Sequence, residues 1–365
     1  MWKQQQFDYT EPDVSFGSSD DVIEHDDKAG NEQYLPPERR TGSAISDMLD
    51  LRGKAQERLL REASEVRDRF FGRAAVVRGV IEVTNACVRS CDYCPMRIEN
   101  PIDRYFRRPE EILASVEAVR SAGIGVVSFQ GGEVSATTRV LEQVIPTVRK
   151  LFDDKVEVLL CLGDKPREDL ERLKASGADS YILKQETLDP VLHKRMRYLA
   201  LTERLACLDS LLSCGYRVGV GTIVGLPGQT RGSLVDDALF LGRVGAHMIS
   251  ASPFIPAAGT PLFGMAEGDM DLTLNLMAVM RLLYPTALIP TVSALESRSD
   301  GGQRRGLDAG ANVITVNYTP EQDRKNYQIY GSDRFVVRHE YAMDVLDQAG
   351  LSPLLGQSAY SFWST

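Results

Sequence analysis

The chain has 365 residues, of which 43% are hydrophobic and 25% are charged, a balance typical of a globular protein with a substantial core. The net charge of −9 argues against a general nucleic-acid-binding protein, and no apolar run approaches the roughly 18 residues that a membrane-spanning helix needs. The first residues lack the basic segment and the apolar run of a secretory signal. We therefore expect a cytoplasmic protein with neither a membrane nor a nucleic acid as partner.

The acidic excess is concentrated at the N-terminus. Residues 1–40 contain ten aspartates and glutamates against four lysines and arginines, so −6 of the net charge of −9 lies there. The segment is rich in Gly, Ser, Gln and Pro and shows no periodicity, which predicts disorder over residues 1–41. Its scattered aromatic residues leave open a docking segment for a protein partner. We expect the folded body over residues 42–350 and a C-terminal tail over 351–365.

A helical pattern at 43–69 is followed by short β-branched runs that alternate with amphipathic helices. The predicted strands are residues 78–84, 125–130, 156–162, 180–184, 217–223, 248–252, 287–293 and 312–317. Helical patterns lie near 109–121, 137–151, 167–175, 202–213, 230–244, 270–283, 300–309 and 320–328. Eight such pairs predict an α/β fold, a TIM-type (βα)8 barrel with an N-terminal helical extension. A doubly wound open sheet is the alternative.

The strongest chemical signal is the stretch IEVTNACVRSCDYCPMR at residues 81–97, directly after the first predicted strand. Its cysteines Cys87, Cys91 and Cys94 have the spacing C-x3-C-x2-C. Four thiolates would close a zinc site or saturate a 4Fe-4S cluster, whereas three leave one iron open to bind another molecule. A zinc site with three cysteines and one histidine is disfavoured, because no histidine lies near these residues in the sequence.

At these residues the sequence resembles the radical S-adenosylmethionine (SAM) superfamily, and Tyr93 matches the aromatic residue that the family usually places before the last cysteine. The resemblance implies a 4Fe-4S cluster whose open iron binds SAM through its amine and carboxylate. It also implies reductive cleavage of SAM to a 5′-deoxyadenosyl radical that acts on a small-molecule substrate. The electron would come from a one-electron reductant such as ferredoxin or flavodoxin.

A second motif ends the second predicted strand. Gly131, Gly132 and Glu133 resemble the family's GGE motif, where the backbone and the acid hold the methionine ammonium of SAM. Glycine permits a close backbone approach, and a carboxylate satisfies a buried ammonium. A glycine turn at a strand end is common by itself, so the interpretation depends on its place one strand after the cysteines.

Further stretches resemble a narrower group within the superfamily. YILKQETLDPVLHKRMR (181–197), GYRVGVGTIVGLPGQT (215–230) and PFIPAAGTPL (253–262) look most like the hydrogenase maturase HydE group, with the methylornithine synthase PylB and biotin synthase as more distant relatives. The likeness extends over roughly residues 45–345.

This narrower resemblance implies roles for single residues. Glu186 would hold the SAM ribose hydroxyls, and Arg204 would pair with the SAM carboxylate, a task that suits a planar guanidinium. Val224 would lie along the adenine. Lys184 stands where the maturase usually has arginine, so it would contact SAM only as a point charge. The alternatives are a surface ion pair for Lys184 and Glu186 and a solvated helix face for Arg204.

The presumed substrate-facing positions differ from the maturase pattern. Gly131 replaces a serine, Cys161 a small hydroxyl residue, and Val292 and Ser293 a pair of threonines, while Ser252 lies in an altered sixth-strand motif. We therefore predict a HydE-like paralogue that acts on a different small molecule in a pocket formed by Cys161, Ser252, Val292 and Ser293. The alternatives are a genuine maturase of the FeFe-hydrogenase H-cluster and a non-catalytic Fe–S carrier or scaffold.

For the other residues with reactive or titratable side chains, we expect structural roles. Cys207 and Cys214 are seven residues apart on one helix face, and we expect ordinary buried thiols. We expect His193, next to Lys194 on a probable helix, to be solvated.

Overall fold

The computed structural model of the chain describes residues 35–356. The strands are β1 Ala74–Thr84, β2 Val126–Gly131, β3 Glu157–Cys161, β4 Ser180–Ile182, β5 Arg217–Val224, β6 Met248–Pro253, β7 Val313–Asn317 and β8 Ser352–Leu354. The helices are α1 Gly42–Leu49, α2 Gly53–Phe71, α3 Pro109–Ser121, α4 Ala136–Leu151, α5 Arg167–Ala175, α6 Pro190–Arg197, α7 Leu201–Ser213, α8 Arg231–Val244, α9 Met270–Leu283, α10 Ser293–Arg298, α11 Gly302–Asp308, α12 Glu321–Arg324 and α13 His339–Gln348. Within this part of the chain, no helix is both long and apolar enough to cross a membrane.

The strands form one parallel sheet in the order β6-β5-β4-β3-β2-β1-β7, and β8 pairs with the first residues of β1. Consecutive strands are neighbours from β1 to β6, and because they are parallel, each connection crosses over through helical structure before the chain enters the adjacent strand. Ten of the eleven residues of β1 are buried, as expected for a strand with side chains packed inside the barrel and helices outside.

One predicted strand, residues 287–293, is wrong as a strand, although it closes the barrel. Leu288 forms a single bridge with Met248 of β6, and Pro290 forms one with Val313 of β7. Proline has no N–H to donate, which interrupts the ladder at this point. Ser293 already begins helix α10. The two edge strands are therefore joined by a short bridging segment, and the predicted TIM-type barrel is confirmed.

The N-terminal helical pattern is two helices. Thr41 caps α1 by accepting a hydrogen bond from the amide of Ala44, and α2 begins at Gly53. Of the segment predicted to be disordered, residues 1–34 lie outside the described residues; Leu35 is buried, and a short 3-10 helix at Pro37–Arg39 follows it. The predicted C-terminal tail contains β8, and residues 357–365 lie outside the described part of the chain.

Arg281 of α9 is fully buried and holds the bridging segment in place. Its guanidinium donates hydrogen bonds to the carbonyls of Pro285 (2.7 Å), Ala287 (2.8 Å) and Gly310 (2.8 Å) and to Oδ1 of Asn312 (2.9 Å). Burial lowers the pKa of Arg281 to about 9, so the side chain stays charged near neutral pH. One side chain thus connects α9, the bridging segment and the start of β7.

Replacing this arginine is expected to destabilise the barrel. Arg281→Met leaves the three buried carbonyls of Pro285, Ala287 and Gly310 without this donor, so we expect a loss of at least about 3 kcal/mol in the free energy of unfolding, measured by urea titration. Arg120→Met is the matched control, because Arg120 is an exposed residue paired with Glu117; its expected effect is below about 0.5 kcal/mol. Equal losses in the two variants would contradict the bridging role of Arg281.

Candidate active site

A cavity of about 320 Å³ extends from the carboxyl ends of the strands into the barrel. Functional residues of parallel barrels sit at this end, because the loops after all strands meet there. The predicted site residues that line it are Cys87, Cys91, Tyr93, Cys94, Gly131, Gly132, Glu133, Cys161, Lys184, Glu186, Arg204, Ser252, Val292 and Ser293. Val224 does not line the cavity, because its side chain is fully buried in the core and its carbonyl accepts a hydrogen bond from the amide of Phe254.

The cysteines lie in an irregular loop between β1 and α3, and hydrogen bonds to its backbone shape it. Arg104 donates to the carbonyls of Asn85, Met96, Arg97 and Asn100 at 2.6–3.2 Å. Side-chain bonds of this kind replace the missing secondary structure and give the loop a defined path. The three sulfurs can therefore be presented from fixed positions.

All three cysteines are free thiols, with Cys91 buried and Cys87 and Cys94 partly buried. Burial raises the pKa of Cys91 and of Cys94, so their thiolates need a nearby cation such as iron. Across residues 35–356, no three histidine, cysteine, aspartate or glutamate side chains converge closely enough to enclose a single metal ion. The sulfurs face one cavity from separate points of the loop, which suits a cluster of several atoms.

Glu133 lies in a buried network of charges. It forms ion pairs with Arg89, Arg197 (2.8 Å) and Arg204 (3.3 Å), and Asp164 shares the same three arginines at 3.2–3.8 Å. Burial acts to raise the pKa of Glu133, but the arginines outweigh it and lower that pKa to about 2. Three cations against two anions leave one positive charge in excess, which favours an additional anionic group such as a carboxylate.

The network changes two of the sequence interpretations. Arg204 is only 4% exposed, so the alternative of a solvated helix face is wrong. Glu133 contacts guanidinium groups, so its contact with an ammonium stays a prediction. Sequence reasoning missed Arg89, Arg197 and Asp164; Arg89 stands between two of the cysteines and Asp164 three residues after β3, positions that could have marked them.

Lys184 and Glu186 follow β4 and face the cavity, so they do not form a surface ion pair. Glu186 has a left-handed backbone with φ of +65°, an uncommon conformation for a residue other than glycine. Its Oε2 atom is buried and has no hydrogen-bond partner within the described residues. Lys184 lies in the field of Tyr330 and Glu186, which outweighs its burial and raises its pKa, so it keeps its positive charge beside the cavity. Both charged groups are therefore available to a ligand.

The predicted substrate-facing residues line the same cavity. Ser252 is 2% exposed, and its Oγ has no partner within residues 35–356. Burial raises the pKa of Cys161, which keeps it a thiol. Cys207 is buried outside the cavity lining, with its thiol 3.6 Å from the carbonyl of Lys165, as expected for an ordinary core cysteine.

A second ion pair, missed from the sequence, holds the connection after β7 against the barrel. Arg334 pairs with the buried Glu82 of β1 at 2.7 Å, and Asn317 donates to the same carboxylate at 2.9 Å. The guanidinium also lies 5.2 Å from the ring of Tyr327. Tyr327 and Tyr330, which belong to the same connection, line the cavity. The sequence signal that could have identified Glu82 is its position as a charged residue between the apolar Ile81 and Val83.

Comparison with known proteins gives consistent results. Residues 81–241 match the family model for the radical SAM superfamily. The chain is 38% identical to the FeFe hydrogenase maturase subunit HydE of Thermotoga maritima over 82% of this chain and 87% of that protein. It is 27% identical to a biotin synthase of Stenotrophomonas maltophilia over 71% and 76% of the two chains. The crystal structure of methylornithine synthase (PylB) is similar in fold, with a TM-score of 0.77, 24% identity and coverage of 87% and 94%.

The charge network also depends on Gly163. Its φ is +70°, and a Cβ atom there would collide with Cγ of Glu133. We expect Gly163→Ala to displace Glu133 and lower the free energy of unfolding by about 2 kcal/mol more than Gly215→Ala does. Gly215 is the matched control, because its φ is +76° and a Cβ there meets nothing within 4 Å, so it reports the backbone strain alone. Equal losses on urea titration would show that Glu133 does not constrain this position.

Proposed function

Because the chain belongs to the radical SAM superfamily and is a HydE-like radical SAM enzyme, we propose that Cys87, Cys91 and Cys94 hold its 4Fe-4S cluster at the mouth of the barrel cavity. A 4Fe-4S cluster bound by only three thiolates would leave its fourth iron free to bind SAM. When bound, the cluster and SAM supply a 5′-deoxyadenosyl radical. The chain's own residues then bind, orient and shield the reactants.

The residues that we assign to SAM surround the cysteine loop. Those that line the cavity are Tyr93, Gly131, Gly132, Glu133, Lys184, Glu186 and Arg204. The contact of Val224 with the adenine stays a prediction from the sequence, because its side chain is buried outside the cavity lining. The excess positive charge around Arg204 suits the SAM carboxylate, and the free oxygen of Glu186 is an acceptor for hydroxyl donors. A Cβ at Gly132 would collide with the carbonyl of Ala86 and lie 2.8 Å from Cβ of Cys87, so glycine permits this turn to pack against the cysteine loop.

The observation that carries the proposal is the convergence of three separate features on one cavity. The cysteine loop, the arginine-rich network of Glu133 and the unpaired carboxylate of Glu186 come from the ends of three different strands. An Fe–S carrier or scaffold needs a cluster site, but it has no use for a strained acidic residue that faces a deep cavity with an unpaired carboxylate oxygen. The convergence therefore favours catalysis over transport of a cluster.

We assign the substrate to the deeper part of the cavity, beside Cys161, Ser252, Val292 and Ser293. The buried, unpartnered hydroxyl of Ser252 favours a small molecule with a polar group, because a purely apolar ligand would leave this oxygen without a hydrogen bond. Since these positions differ from the maturase pattern, the substrate would be other than that of HydE. The second candidate is the maturase reaction itself, which 38% identity over 87% of HydE favours.

The partners follow from the chemistry. Reduction of the cluster requires a one-electron donor, for which we propose ferredoxin or flavodoxin in the cytoplasm. For the acidic residues 1–41 we propose a docking role toward a protein partner, based on their charge and aromatic content alone.

The cluster assignment is tested by SAM cleavage. Anaerobically reconstituted protein with dithionite and SAM is expected to form 5′-deoxyadenosine, followed by mass spectrometry. Cys94→Ala should lower its formation at least about 100-fold, because a missing thiolate removes a ligand from the cluster. Cys207→Ala, a buried cysteine outside the cavity, is the control and should behave as wild type. Undiminished cleavage by Cys94→Ala would rule out the assignment.

The substrate assignment is tested by complementation. In a host that lacks its own HydE but retains the other maturation proteins, this chain is expected to give no hydrogenase activity, whereas Thermotoga maritima HydE restores it. The reason is the altered polarity of the cavity wall at Cys161, Val292 and Ser293. Restored hydrogenase activity would establish the maturase reaction instead.

A further inference from the structure

A buried polar cluster lies behind Glu186, outside the cavity. Its centre is Asp237 of α8, which is 1% exposed. One carboxylate oxygen of Asp237 accepts hydrogen bonds from Nε2 of Gln185 (3.1 Å) and the amide of Leu188 (2.9 Å), and the other lies 2.9 Å from the hydroxyl of Thr222. No step of the proposed function uses these groups, although burying a carboxyl and a hydroxyl together is costly unless both are well bonded.

The hydrogen bonds of these buried polar residues hold the backbone in place on both sides of Glu186. Oε1 of Gln185 accepts from the amide of Gly221 at 3.0 Å, and the carbonyl of Gln185 accepts from Nδ1 of His193 at 2.9 Å. This contact corrects the expectation that His193 is solvated, because the residue is 1% exposed. A left-handed residue costs energy and persists only where its surroundings determine it fully, and Glu186 meets this condition.

Thr222 connects Asp237 directly to Glu186. Its hydroxyl lies 2.9 Å from Oδ2 of Asp237 and 2.9 Å from the carbonyl oxygen of Glu186. A hydroxyl has one proton and can donate to only one of these acceptors. When Asp237 is ionised, Thr222 donates to it. When Asp237 is protonated, it can donate to Thr222, which then donates to the carbonyl of Glu186.

We propose that Asp237 is a positioning residue, which acts through Thr222 and Gln185 to hold Glu186 in its cavity-facing conformation and thereby sets the affinity for SAM. The proposal rests on the proposed contact between Glu186 and the SAM ribose. Asp237 does not line the cavity, so its effect must pass through the backbone of Glu186.

The charges around Asp237 make the coupling sensitive to pH. Burial raises the pKa of Asp237 to about 7, although the hydrogen bonds from Gln185, Thr222 and the amide of Leu188 oppose it. The exposed Asp236 adds a like charge. Burial lowers the pKa of His193, which bonds to the carbonyl of Gln185, to about 4. His193 is therefore neutral around pH 7. As pH rises through 7, Asp237 ionises, Thr222 turns toward it, and Glu186 loses one hydrogen bond.

The test uses the full-length, cluster-loaded protein and measures the dissociation constant of SAM by equilibrium dialysis at pH 6, 7 and 8. Wild type is expected to bind SAM about fivefold more weakly at pH 8 than at pH 6, the equivalent of one hydrogen bond. Thr222→Val should weaken binding about fivefold at pH 6 and lose most of the pH dependence. Asp237→Leu should weaken it at least about tenfold at all three pH values.

The Asp237→Asn variant distinguishes a positioning role of Asp237 from a purely structural requirement for the buried polar residues around it. Its amide can accept from Gln185 and Leu188 and donate to Thr222, as the protonated acid does, so it should bind SAM as wild type does at pH 6 and show no pH dependence. Asp236→Asn removes the same charge from the exposed neighbouring residue and should leave the affinity and its pH dependence unchanged. Iron content and thermal unfolding of each variant confirm that the proteins are comparable.

The outcomes separate this proposal from the proposed function. Wild type that neither binds nor cleaves SAM would overturn both. Wild type that cleaves SAM, together with Thr222→Val and Asp237→Asn variants whose affinity and pH dependence equal those of wild type, would overturn only the positioning role. Variants that unfold at lower temperature but bind SAM unchanged would assign Asp237 to stability alone and also overturn it.

Discussion

Glu133 and Asp164 follow neighbouring strands of the barrel and share three arginines, Arg89, Arg197 and Arg204. Each arginine comes from a different element: the cysteine loop, the end of α6 and the first turns of α7. Because these charges are largely buried, removing one would leave its partners without compensation, so the loop and the two helices depend on one another for their positions. The geometry of the mouth of the cavity follows from this single network, which also provides the surplus positive charge that a carboxylate would neutralise.

Polar groups near the cavity differ in whether the protein satisfies them. Glu82 is buried but fully bonded, through Arg334 and Asn317, and serves to hold a connecting segment in place. Glu186 and Ser252 each carry a buried oxygen that forms no hydrogen bond with any described residue. Native proteins bond nearly all buried polar atoms, so oxygens left unbonded beside one cavity indicate contacts reserved for ligands. The strained backbone of Glu186 supports the same conclusion, because local strain tends to be retained where function needs it.

The similarity to known relatives bears on the class of reaction, whereas the residues of the cavity wall bear on the substrate. Identity of 38% with HydE over most of both chains, together with the cysteine loop and the GGE motif, accounts for the shared radical chemistry. The cavity is also lined by Cys161, Val292 and Ser293, positions at which we predict from the sequence resemblance that the maturase group carries hydroxyl residues. Changing hydroxyls for a thiol and an apolar side chain alters which polar groups a substrate can present, while the barrel around them stays the same.

The sequence by itself determined the cysteine loop, the GGE motif, the two charged residues after β4 and seven of the eight predicted strands, because short-range spacing and hydrophobic periodicity encode them. It also contained Pro290, which is why the predicted strand at 287–293 became a bridging segment. Only the tertiary structure brought Asp164 and Arg197 to Glu133 and buried His193 and Asp237 behind Glu186. Such pairings join residues that are distant in the chain, and their partners are set by how the loops after parallel strands converge. No local sequence pattern predicts which of these residues will meet.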